Sequence, residues 1–180
     1  MCGGHGSRLE AATEKPLFEI GGQPMFARVL DALAGSAVET VYAAVSPNAP
    51  ETRAYLESQP VSCIDTPGEG YVADLQDVLD TVEQPVLTVA ADLPLLDSAA
   101  IDDLLDRHTG GSLDIYTPAG VKRALGVSRD LTVERDGREL VPTGINVVGD
   151  GEEATHVTYD VRFAVNVNRL DDARVAEVIL

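Results

Sequence analysis

Short apolar runs rich in β-branched residues alternate, through the first 110 residues, with stretches whose apolar positions recur every three or four residues. Residues 40–45 (TVYAAV), 61–65 (VSCID) and 86–91 (VLTVAA) have the length and composition of buried strands. Between them, residues 24–34 place Phe26, Val29, Leu30 and Leu33 on one helical face. Residues 50–59 open with a proline in the first helical turn, and residues 71–81 space Val72, Leu75, Val78 and Leu79 for a helix. Residues 98–108 read as a helix with Ser98 as N-cap and Gly110 just past its end. This alternation predicts an α/β domain: a mostly parallel sheet, helices on both faces and right-handed crossovers. From Leu113 the pattern changes. Asp136-Gly137 is a type I′ hairpin signal between strand-like residues 132–135 and 138–141, and residues 144–148 (GINVV) form another apolar strand. The second half is thus expected to add an antiparallel element. Residues 170–178 close the chain as a helix with Leu170, Ala173 and Val178 inward. With no internal repeat or low-complexity tract, residues 1–180 read as one domain.

Composition narrows the function classes. The chain has 180 residues, 44% of them hydrophobic, enough for a sizeable core. Thirteen Lys+Arg against 30 Asp+Glu give a net charge of −17, and only two of the cations, Lys15 and Lys122, are lysines. That charge excludes a protein that coats nucleic acid and argues against an anionic membrane surface as partner. It also predicts self-repulsion at low ionic strength, relieved in molar salt, where the Debye length falls to about 3 Å. The acidity reads either as plain solubility or as adaptation to molar salt; the scarce lysine, which solubility does not require, makes a halophilic, salty cytoplasm the expectation. No apolar run has the length of a membrane span, no signal peptide is expected, and Cys2 and Cys63 form no disulfide framework or metal spacing. A reducing cytoplasm is the expectation.

The densest chemical signal is Gly3-Gly4-His5-Gly6-Ser7-Arg8. Glycines let main-chain N–H groups approach an anion and form a nest for phosphate oxygens. Arg8 and Lys15 add positive charge, and Pro16 fixes the loop that carries Lys15. The segment matches neither the P-loop nor the dinucleotide fingerprint, which fails at Leu9. Further candidates sit at strand ends. Asp92 follows the run 86–91, where open α/β sheets bind ligands; it would otherwise be a turn residue before Pro94. Ser46-Pro47-Asn48 follows the run 40–45 and reads either as a purine-edge contact or as an ordinary turn. Gly68 and Gly70, after residues 61–65, would admit a nucleoside against the backbone or merely open the next helix, and Asp65 is either a ligand or structural. Gly144 begins a strand, and Asn166 and Asn168 share one face of an extended segment. His5, His108 and His156 show no metal spacing.

GGHGSR followed by EKPL resembles the GGxGTR…KP signature of nucleotidyltransferases with a dinucleotide-binding-like fold. SPNAP (46–50), IDTPGEGY (64–71), ADL (91–93), VPTGINVV (141–148) and VNVN (165–168) are similar to the archaeal branch that acts in cobamide assembly. The resemblance implies a three-layer αβα fold and transfer of GMP from GTP to adenosylcobinamide phosphate, with Mg²⁺ and release of pyrophosphate. It implies catalytic roles for Arg8, Lys15 and Asp92. Nucleotide contacts would come from these and from Gly3, Gly4, Gly6, Ser7, Ser46, Asn48, Asp65, Gly68, Gly70, Gly144 and Asn168. Asp92 and Asn166 would hold the metal, although Asn166 and Asn168 are not separable on sequence. The same loop and fold would serve a sugar 1-phosphate or molybdopterin as acceptor, and a GTP-sensing module without turnover is a different class, disfavoured by Asp92. A homodimer is compatible with the sequence. One departure stands out: members of the family carry an apolar strand ahead of the glycine loop, whereas here only Met1 and Cys2 precede it. The expectation is a start further upstream with Met1 internal; without such a strand a central place in the sheet would be empty or poorly anchored.

Overall fold

The structure is a computed structural model that describes Leu9 and residues 13–180. A 3₁₀ turn at Lys15–Leu17 leads into a hairpin of β1 (Glu19–Ile20) and β2 (Gln23–Pro24), then α1 (Met25–Ala34). β3 (Tyr42–Val45), α2 (Pro50–Leu56) and β4 (Ser62–Asp65) follow, with β3 and β4 paired in parallel. Next come α3 (Tyr71–Leu79), β5 (Val86–Val89), α4 (Ser98–Leu105), β6 (Ser112–Pro118) and α5 (Ala119–Leu125). The chain ends with β7 (Val133–Arg135), β8 (Arg138–Val148), β9 (Glu153–Val157), α6 (Val161–Ala164) and α7 (Leu170–Ile179).

The larger sheet has the order β5-β8-β6-β9, with β7 also paired to β8. β8 runs antiparallel to β5, β6 and β7, whereas β6 and β9 are parallel. The α/β class and the antiparallel second-half element are therefore as expected, within a mixed sheet. Among the described residues no strand joins β3–β4 to the larger sheet. Val29 and Ala32 of α1 and Ile101 and Leu104 of α4 pack on Val89, Ile115, Ile145 and Val147. Ile115 and Ile145 are essentially inaccessible; burial of such a side chain contributes about 1.5–3 kcal/mol. Side chains alternate along a strand, so Thr88 points to the opposite face, where it meets Tyr71 at the start of α3.

Several local expectations change. The cap of α4 is Asp97, whose carboxylate accepts from Ala100 N at 2.8 Å, rather than Ser98. On α7 the inward residues are Asp172, Ala173 and Ala176, while Leu170 and Val178 face solvent. On α3 Val72 is exposed and Asp74 is buried, because its carboxylate accepts from Gly68 N and Glu69 N of the preceding loop. The strand-like pieces 138–141 and 144–148 belong to one strand, β8. Pro142, which has no N–H to donate, pairs with Tyr116 of β6 alone. On its other edge β7 pairing stops at Leu140 and β5 pairing begins at Ile145. Among the described residues, no helix is long and apolar enough to cross a membrane.

Candidate active site

The loop that carries Lys15 is anchored from its preceding residue. The Glu14 carboxylate accepts from Glu51 N (2.8 Å), Thr52 N (2.8 Å) and Thr52 Oγ1 (2.6 Å) at the start of α2. It thereby satisfies main-chain donors that a helix start leaves open. Pro16 is buried beside it. From this anchored turn the Lys15 ammonium reaches Asp92 Oδ2 at 2.5 Å and Asn168 Oδ1 at 2.6 Å.

Asp92 lies just beyond the carboxyl end of β5. Its carbonyl accepts from Val167 N at 2.9 Å, so the segment bearing both asparagines is fastened to the strand that presents the carboxylate. Val165 and Val167 are fully buried, which turns Asn166 and Asn168 together toward Asp92 and Lys15. Asn166 Nδ2 donates to Asp92 Oδ1 (3.1 Å) and to the Thr143 carbonyl (2.8 Å), while its Oδ1 accepts from Lys122 Nζ at 2.9 Å. Behind this cluster, Asp172 accepts from Asn168 N, Arg169 N, Ser128 N and Ser128 Oγ at 2.7–3.0 Å. Those four donors account for a carboxylate that is 1% exposed.

Gly144 closes the cluster from β8. Its carbonyl accepts from Ala90 N at 2.8 Å, and its φ is +84°. A Cβ there would lie 2.9 Å from Ala90 Cβ and 3.4 Å from Asn166 Nδ2. Tyr71 faces the same region: crowding around its hydroxyl and the Asp92 charge push its pKa up, opposed by a hydrogen bond with Thr88. Burial pushes the Lys122 ammonium down, and Asp92, Asp172 and Asp130 oppose that shift.

A second loop cluster gathers Ser46, Asn48, Gly68 and Gly70. Ser46 Oγ accepts from Asn48 N at 3.2 Å, and Asn48 Nδ2 donates to the Gly68 carbonyl at 3.2 Å. Gly68 has φ +76°, and a Cβ on it would lie 2.9 Å from the Pro47 ring and Ser46 Oγ. Asp65 turns outward and pairs with Arg53 of α2. The structure thus brings Lys15, Asp92, Gly144, Asn166 and Asn168 into one cluster and holds the 46–48 and 68–70 loops against each other. Gly3, Gly4, Gly6, Ser7 and Arg8 lie outside the described residues. Tyr71 stands out in the sequence only as the end of the 64–71 segment; Glu14, Asp172 and above all Lys122 are not among the candidate residues that the sequence singles out. The one signal for Lys122 is that an arginine-rich chain keeps a lysine within the largely apolar stretch of α5.

No group of three or more His, Cys, Asp or Glu is placed to hold a metal among the described residues. The chemistry of the donor set still fits Mg²⁺, which needs only one or two protein oxygens when phosphates complete its shell. A cation is already accommodated here, since the Lys15 ammonium sits between Asp92 Oδ2 and Asn168 Oδ1.

An α/β fold with a lysine, a carboxylate and two carboxamides converging beyond a strand end has the layout in which open α/β sheets bind their ligands. The MobA-like NTP transferase domain matches residues 1–169. The chain is 31% identical over 189 residues to the adenosylcobinamide-phosphate guanylyltransferase of Methanocaldococcus jannaschii, covering 100% of this chain and 95% of that protein. Its fold is shared by a hypothetical transferase of Thermus thermophilus, at 16% identity, TM-score 0.71 and 96% coverage of both chains. It is also shared by a CMP-2-keto-3-deoxy-manno-octonic acid synthetase complexed with CTP, at 18% identity and TM-score 0.57, covering 79% of this chain and 71% of the other. The chain belongs to the MobA-like NTP transferase family and is a nucleotidyltransferase.

Proposed function

We propose that the protein transfers GMP from GTP to adenosylcobinamide phosphate, giving adenosylcobinamide-GDP and pyrophosphate, in a salty cytoplasm. The guanylyl and cobinamide assignments rest on the Methanocaldococcus jannaschii relative, which the chain matches along its whole length. The observation that carries the chemistry is the convergence of Lys15, Asp92 and Asn168 at the end of β5.

In this reading an oxygen of the acceptor phosphate attacks the α-phosphorus of GTP in line. A new P–O bond forms as the bond to the β-phosphate bridging oxygen breaks, and the electron pair leaves with pyrophosphate. The acceptor phosphate is ionised at neutral pH, so the protein needs no strong general base. Its task is to position the reactants and neutralise charge that develops on the phosphates. Asp92 and Asn168 would hold Mg²⁺ rather than the expected pair Asp92 and Asn166, because the Asn166 carboxamide oxygen already accepts from Lys122 and its amide nitrogen donates to Asp92; when bound, the ion supplies charge neutralisation at the phosphate oxygens. Lys15 has a flexible stem and three donors, suited to exchanging its carboxylate and carboxamide partners for phosphate oxygens. The Gly3–Ser7 amides and Arg8 would hold the triphosphate. Ser46, Asn48, Gly68 and Gly70 would line the nucleoside side of the cleft.

The test is pyrophosphate release from GTP in molar KCl with adenosylcobinamide phosphate, a sugar 1-phosphate, molybdopterin or no acceptor. Release that depends on adenosylcobinamide phosphate is expected. Equal release with and without acceptor rejects transfer, and preference for another phosphate reassigns the acceptor. Lys15→Ala and Asp92→Ala should each lower kcat by at least about 10²-fold with far-UV circular dichroism unchanged; retained turnover removes that residue from the mechanism.

A further inference from the structure

Lys122 is one of two lysines in the chain and, at 2% exposure, is sealed within the fold on α5. The transfer reaction described above makes no use of it. Among the described residues its ammonium donates to Asn166 Oδ1, at 2.9 Å. An ammonium can only donate, so this bond settles which way the carboxamide faces. With Oδ1 committed to Lys122, the Nδ2 hydrogens are directed to the Thr143 carbonyl and to Asp92 Oδ1. One oxygen of Asp92 is thus capped by a neutral donor held in place by a buried cation. The other, Oδ2, is left to Lys15.

We propose that Lys122 is a positioning residue for Asp92: acting through Asn166, it occupies Oδ1 and leaves Oδ2 as the single carboxylate oxygen offered to Lys15 or to a divalent cation. A carboxylate limited to one oxygen, with a fixed positive charge behind it, would hold a divalent ion weakly, so that tight binding would need phosphate oxygens of a bound nucleotide as well. Removing Lys122 frees the Asn166 amide to rotate, opens the second oxygen of Asp92 and deletes the opposing charge. All three changes favour tighter cation binding to the nucleotide-free protein, in a geometry unsuited to transfer. The kinetic part of this inference rests on the nucleotidyl-transfer reading; the binding part does not.

The experiment compares the wild type with Lys122→Met, Asn166→Ala and the double variant, each checked for folding by circular dichroism. Mn²⁺ binding to nucleotide-free protein is followed by the loss of the free-ion electron paramagnetic resonance signal. Lys122→Met should bind Mn²⁺ at least about fivefold tighter, with kcat at least about tenfold lower and the KM for GTP within about twofold; the double variant should lose no more kcat than the larger single loss, because both changes break one relay. A folded Lys122→Met protein with unchanged or weaker Mn²⁺ affinity overturns the proposal, as do kcat losses that multiply in the double variant. Where Lys122→Met does not fold, Asn166→Ala decides: it removes the cap directly, and an unchanged Mn²⁺ affinity overturns the relay. A wild type that transfers GMP to no acceptor refutes the functional reading while the Mn²⁺ comparison still tests the role of Lys122.

Discussion

Gly144→Ala puts one methyl group where β8 crosses the end of β5, and its cost divides into two separable parts. The backbone at φ +84° lies in the left-handed region, which costs a residue with a Cβ about 1–2 kcal/mol. The new Cβ would also lie 2.9 Å from Ala90 Cβ, roughly 0.6 Å or more inside the preferred carbon–carbon separation. The struck atom is fixed to the main chain and cannot rotate away, so relief requires a backbone shift, typically about 1–3 kcal/mol. A total near 3 kcal/mol should lower Tm by roughly 6–12 °C for a domain of this size. The same shift moves Asp92, two residues beyond Ala90, and a displacement of about 1 Å at such a group costs about 10²-fold in rate. The assay is differential scanning calorimetry in molar KCl with kcat measured in parallel, on Gly144→Ala, Ala90→Gly and the double variant. Ala90→Gly removes the struck atom at its own cost of about 0.5–1 kcal/mol. The cycle should show about 1–3 kcal/mol of favourable coupling, with kcat largely restored and the backbone part of the loss remaining. A Gly144→Ala protein within about 2 °C of the wild type, or a cycle without coupling, refutes the reasoning.

Other outcomes follow from the same geometry. Glu14→Gln leaves an acceptor short at the start of α2, where the carboxylate meets three donors. It should cost about 1–3 kcal/mol in chemical denaturation and raise the KM for GTP by loosening the loop that carries Lys15. Gly68→Ala forces a Cβ against the Pro47 ring and Ser46 Oγ at positive φ; it should raise the KM for GTP at least about tenfold while leaving kcat at saturation nearly unchanged. Hydrogen bonds from the Arg162 guanidinium hold the Asp160 carboxyl below its ordinary value of 3.8. The pair therefore contributes stability above that pH and loses it as pH falls through the lowered folded value. The Tm difference between wild type and Asp160→Asn should be present at pH 6 and shrink below about pH 3.8; a difference that grows in acid contradicts the assignment.

What the sequence makes legible follows the range of the forces involved. Strands β3, β4 and β5 and helices α1 to α4 follow from local periodicity. The Asp136-Gly137 turn is read correctly because positive φ at both residues requires little beyond their own identity. β6 and α5 do not follow from the sequence pattern: Pro118 and Gly120 mark a break there, but no side-chain cap announces the helix and α5 runs for only seven residues. The unity of β8 depends on which neighbours lie beside Pro142, which is a tertiary fact. The inward face of α7 is set by a buried Asp172 that no hydrophobic pattern marks. At the site, Lys15 and Asp92 are legible because each stands beside a motif or strand end, whereas Asn166 and Asn168 are legible only as a pair, since which of them meets Lys15 is a tertiary fact. Lys122 is not legible: 107 residues separate it from Lys15, and only the folded chain brings both to opposite sides of Asp92 and Asn166. Asp65 shows the converse, a residue at a strand end whose charge is taken by Arg53 on the neighbouring helix.

The scarcity of lysine has a practical meaning for chemical labelling. Apart from the amino terminus, Lys15 and Lys122 carry the only primary amines of the chain, and Lys122 is sealed from solvent. An amine-directed acylating reagent therefore has one side chain to find, and that side chain stands between Asp92 and Asn168. On most proteins such reagents decorate the surface at random. Here the extent of acylation at Lys15, read from a single tryptic peptide, becomes a titration of site occupancy.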